Sequence, residues 1–107
     1  MLRLFALGFA AGAVYHAVGL ARPAWTEPAP AWRHALFVAV NAAAAAGLLR
    51  YRPAFLLPFA GLVLQQVWSH GRYGWLVWRA QGRVDWASVA VLVFMPFLLV
   101  LLVRRGS

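Results

Sequence analysis

A chain of 107 residues that is 64% hydrophobic and 11% charged, with a mean hydropathy of +0.74, lacks the polar surface of a soluble domain and reads as an integral membrane protein. Its formal charge of +8 comes from ten arginines set against two acids. The arginines flank apolar runs and show no nucleic-acid motif spacing, which excludes a nucleic-acid partner and assigns them to topology and lipid headgroups. Cysteine is absent, so disulfides, thiolate metal sites and thiol nucleophiles are excluded as well.

Four apolar stretches are expected to cross the membrane, at about residues 4–20, 34–49, 54–70 and 86–103. Each lies near the short end of the ~17–25 residues that span a hydrocarbon core ~30 Å thick. Together they use nearly the whole chain, so residues 1–107 read as a single transmembrane domain, an all-α, up-down-up-down four-helix bundle.

The first stretch reads as a span rather than a signal peptide, because Tyr15 and His16 interrupt its apolar run. Gly8, Gly12, His16 and Gly19 fall within about 80° on a helical wheel. Glycines on one stripe let a neighbouring helix come close, so His16 is expected to face a packed interior or a partner subunit. The connection ARPAWTEPAPAW holds three of the six prolines and predicts a semi-rigid loop carrying Glu27. In the second span His34, Val38, Asn41 and Ala45 share a stripe on a helix with little bulk. In the third, Gln65, Gln66 and His70 concentrate hydrogen-bonding capacity in the stretch QQVWSHG.

Gly71 and Gly74 are expected to end the third span and turn the chain into a short interfacial helix, on which Arg72, Arg79 and Arg83 share one face beside Trp75 and Trp78. Asp85 is then expected to cap the fourth span, its carboxylate accepting from free amides. That span has Ser88 near its start and Pro96 within it, where a kink is expected.

Alternating spans put Arg3, Arg50, Arg52, Arg104 and Arg105 on one side of the membrane. The other side receives the remaining five arginines, both acids, all six tryptophans and all three histidines. The RYR and RR clusters favour a cytoplasmic location for both termini. The histidine side reads as the working face. A rise of 1.5 Å per residue places His16 and Gln66 ~6 Å from the midplane and His34 and His70 ~11–12 Å from it.

Neutral imidazole is the commonest nitrogen ligand for zinc, copper and iron, so His16, His34 and His70 are the candidate metal ligands, with haem ligation by two of them as a variant. Tyr15, Asn41, Gln65 and Gln66 would supply supporting hydrogen bonds, and with Trp68 they are the candidate residues for a small apolar ligand or lipid. The same residues also read as interhelical glue. Two carboxylates and no phosphate cradle or nucleophile elbow leave an enzyme short of chemistry. The alternative is a structural or accessory subunit, in a homo-oligomer or larger membrane complex, packing through Gly8 and Gly12. Being deeper, His16 is expected to matter more for stability than His34.

The four-span layout resembles that of bacterial DoxX-like proteins, and WRHALFVAVN and QQVWSHG look like the signature of a bacterial family of small membrane proteins. The resemblance implies a four-helix fold in a bacterial inner membrane and carries no function. Size and layout also resemble the small multidrug resistance transporters. Those depend on a glutamate within the first span, which residues 4–20 lack, so the likeness stops at hydropathy. Abundant Ala and Arg with no Lys fit a GC-rich bacterial genome.

Overall fold

Long runs of Ala, Leu, Val and Phe satisfy their backbone polar groups internally as helices, the form a lipid environment requires of an uninterrupted chain. The computed structural model describes residues 1–106 and contains four α-helices. They are α1 (Leu2–Ala21), α2 (Ala31–Leu49), α3 (Leu56–Gln81) and α4 (Trp86–Gly106). Two compact units result, Met1–Arg52 and Pro53–Ser107, each an antiparallel helical hairpin.

In the first hairpin, α1 ends where Arg22 leaves helical geometry (φ −137°) and Pro23 begins a single 3₁₀ turn over Pro23–Trp25. Pro30, at φ −59° and ψ 148°, precedes α2 and accepts from the amides of Arg33 and His34 at 3.0 and 3.3 Å. Proline suits this position because the missing N–H costs no helical bond. The expected stripe of α2 does face α1: His34 and Ala45 are buried, and Val38 and Asn41 are half-buried. Gly12 and Gly19 are where α1 yields space. A Cβ on Gly12 would stand 2.6 Å from Asn41 Oδ1, and one on Gly19 would stand 2.8–2.9 Å from three atoms of the His34 ring.

The second hairpin departs from expectation at Gly71 and Gly74. No break occurs there, and α3 runs unbroken for 26 residues, so the short interfacial helix is not a separate element. At ~1.5 Å per residue it is about 39 Å long, more than the ~30 Å of a hydrocarbon core. The two glycines are contact points rather than breakers. A Cβ on Gly74 would lie 3.2 Å from Ser88 Cβ, and one on Gly71 would lie 3.7 Å from Leu92. The chain turns at Gly82 instead, whose amide bonds Trp78 O at 2.9 Å and whose φ of 63° is the one positive value among the described residues. Across the seam α4 presents Ser88, Met95, Leu98 and Leu102, all buried, with three of them spaced by seven as in a coiled-coil contact. The helix runs on through Pro96.

Gly82→Ala forces a Cβ into left-handed backbone and should cost about 1 kcal/mol, read as a lower thermal midpoint in detergent. No loss would mean that the turn does not need glycine.

Candidate functional site

His34 is the fourth residue of α2 and stands at the level of Gly19, about one helical turn beyond His16. Because Gly19 has no side chain, the His34 ring lies across it and reaches toward His16. The two Nδ1 atoms come within 3.0 Å. His34 is 2% exposed, while His16 is half-buried. Phe37 stacks on His16 with ring centroids 5.4 Å apart, and Tyr15 meets it edge-on at 5.2 Å. The proline loop is fastened over this end of the hairpin, since the Glu27 amide donates to the Tyr15 hydroxyl at 3.0 Å. Asn41 lies deeper, its Nδ2 donating to Phe37 O at 2.7 Å and its Oδ1 set against Gly12.

Two imidazole nitrogens 3.0 Å apart can do one of two things. They share a proton, one Nδ1 donating and the other accepting, which requires different tautomers on the two rings. Otherwise both turn lone pairs to one cation. With bonds of ~2.0–2.1 Å, two nitrogens on one metal stand ~2.9–3.4 Å apart for angles between 90° and tetrahedral. At this spacing His16 and His34 would hold a single cation as neighbouring ligands, and the pair is too close to take up a haem iron between the two rings.

The second hairpin holds the other group of expected site residues. His70 Nδ1 stands 3.3 Å from Ser88 Oγ, and Ser88 donates to Asp85 Oδ2 at 2.5 Å. A hydroxyl has one proton, so Ser88 accepts from His70, and His70 carries its proton on Nδ1 in this chain of bonds. Asp85 precedes α4 as expected, and its carbonyl accepts from the Val89 amide at 3.1 Å. Its carboxylate takes the Ser88 hydroxyl. Gln66 Nε2 donates to Gln65 Oε1 at 2.6 Å, and Trp68 is exposed.

The structure therefore brings His16 together with His34 and Tyr15, sets Asn41 deeper against Gly12, and places His70 with Ser88 and Asp85 in the other unit. Within neither unit do three His, Asp or Glu side chains form a group able to hold a metal ion, among the described residues. Gly19 as the seat of the His34 ring, Phe37 as the stacking partner of His16 and Ser88 as the partner of His70 are not legible in the sequence pattern and emerge only from the fold. The contact of Ser88 with Asp85 had a signal, since the two are three apart at a helix start, where side chains meet.

No protein-family model, curated protein or solved structure matches the chain. What defines its class is physical. Three of its helices, α1, α2 and α4, are long and apolar enough to cross a membrane, and none of their windows is more than 17% buried within the chain itself. Such apolar outer faces identify a helical membrane protein. The expected third span is not among the three, because Gln65, Gln66, Ser69, His70 and Arg72 interrupt its apolar run. All six tryptophans are exposed, as residues of a membrane interface would be.

Proposed function

We propose that this chain is a small multi-pass protein of a bacterial inner membrane that binds one first-row transition-metal ion, zinc, copper or iron, between His16 Nδ1 and His34 Nδ1. The observation that carries the proposal is the 3.0 Å separation of two imidazole nitrogens within a pair of apolar helices. Polar groups at such a position are costly unless they have a purpose or a partner. Two protein ligands leave further coordination positions open, as in sites that exchange ligands rather than in closed structural ones. Haem is the less favoured cofactor, given the spacing. The proposed orientation, with both termini cytoplasmic, rests on the dense RYR and RR clusters, since the arginines divide five and five between the two sides.

The test is calorimetric titration of tag-free, chelator-stripped protein in detergent with zinc. A saturable 1:1 event is expected, weakened at least tenfold in His16→Ala and in His34→Ala, each loss of a ligand removing a directional bond. Binding that survives both substitutions would place the ion elsewhere. A folded protein that takes up no metal would leave the pair as a shared-proton hydrogen bond.

The accessory-subunit reading retains one observation. Gly8 is exposed, with nothing within 4 Å of where its Cβ would stand, and so remains open to a partner helix. Gly12 does not share that role, because Asn41 of α2 occupies its face.

A further inference from the structure

Asp85 and the space beside it play no part in the imidazole pair. A pocket of about 260 Å³ lies between the second half of α3 and the start of α4, with Trp75, Trp78, Asp85 and Ser88 in its wall. That is below the ~300–1,000 Å³ of sites that enclose a drug-sized ligand, so it suits a chemical group rather than a large molecule. Asp85 is half-buried there. Among the described residues its carboxylate has one polar partner, the Ser88 hydroxyl, although the chain carries ten arginines. Ser88 is 1% exposed and bonded to His70, so the carboxylate is fixed rather than free to swing into solvent.

A neutral hydroxyl does not balance a carboxylate charge. The rest of the wall is apolar apart from indole, which offers a cation the negative face of its ring. One such contact is already present nearby, with the Arg79 guanidinium 5.7 Å from the Trp75 ring centroid. An inorganic divalent ion would want several oxygen ligands and finds one carboxylate. An anion would meet the like charge of the Asp85 carboxylate in the wall. A carboxylate combined with indole rings in the wall of a small pocket is the chemistry that recognises organic ammonium. We infer that this pocket binds an alkylammonium group, either the end of a zwitterionic lipid headgroup or a free amine.

The test follows tryptophan fluorescence of the full chain in neutral detergent during titration with choline chloride, against potassium chloride at equal ionic strength. Parallel titrations use short-chain phosphatidylcholine and phosphatidylglycerol. A saturable change with choline and none with potassium is expected, weakened at least tenfold in Asp85→Asn and also in Trp78→Leu. Asparagine keeps an acceptor for Ser88 and remains a favoured residue before a helix, so circular dichroism should be unchanged. If Asp85→Asn does not fold, Trp78→Leu decides. Phosphatidylcholine acting at tenfold lower concentration than choline, with phosphatidylglycerol inert, assigns a lipid headgroup; equal potency assigns a free amine. No saturable response to choline or phosphatidylcholine, or equal affinity in folded Asp85→Asn, overturns the inference.

Discussion

Gly19→Ala should destabilise the protein by about 1–3 kcal/mol and abolish the pairing of His16 with His34. A helical glycine replaced by alanine ordinarily gains ~0.5–1 kcal/mol, because the unfolded chain loses freedom and the helix gains a better former. Here the added methyl would stand 2.8–2.9 Å from three atoms of an imidazole that is 2% exposed. The ring is rigid and has no solvent to retreat into, so the overpacking cost exceeds the helical gain. Gly8→Ala is the matched control, since its Cβ meets nothing within 4 Å. Thermal unfolding in detergent should move down for Gly19→Ala and stay level or rise for Gly8→Ala. Equal shifts would mean that Gly19 is not the seat of the His34 ring. Gly12→Ala is a weaker probe, because the atom it meets, Asn41 Oδ1, is the end of a flexible side chain.

The second large effect reverses an expectation drawn from depth. His34→Ala should cost about 2–4 kcal/mol, from the cavity left beside Gly19 and from the unpaired nitrogen left on His16. His16→Ala should cost roughly half as much, because its ring is only half-buried and the space it vacates is open on one side. Depth along a span and burial within a hairpin are different quantities. His34 lies one turn from the end of α2, yet it is enclosed because the opposing helix has a glycine at that level. Urea or thermal unfolding of the two variants checks the order, and a larger loss for His16→Ala would contradict the packing described.

Hydropathy made the helices of the first hairpin and α4 legible, since apolar runs of the right length have few alternatives. Glycine did not read as clearly. The same residue marks a turn or a close helix contact: in the sequence Gly71 and Gly74 read as a turn, and in the structure they are contact points for α4. What separates the two readings is the residue opposite. Ser88, small and seven residues before Met95, was the available sign of a close crossing there. Gly82, at positive φ after Arg and Trp in the last turns of α3, is the true end signal.

The candidate site was legible in part. The stripe of Gly12, His16 and Gly19 and the stripe of His34 and Asn41 identify the faces that meet, and both follow from a 100° step. Which histidine finds which partner depends on the axial offset between the helices of a hairpin. The length of the intervening loop does not fix that offset when prolines stiffen it and Tyr15 ties it down. His70 finding a hydroxyl rather than an imidazole follows from the second hairpin having Ser88 at that level.

The measurement that bears most directly on the imidazole pair is the metal-to-protein ratio of tag-free protein purified without chelator, by elemental mass spectrometry for zinc, copper and iron together. The pair as a cation site predicts a ratio near one metal per chain that falls to background in His16→Ala and in Gly19→Ala, with both variants still helical by circular dichroism. Folded wild-type protein free of all three metals, and unable to take up zinc on titration, would contradict it.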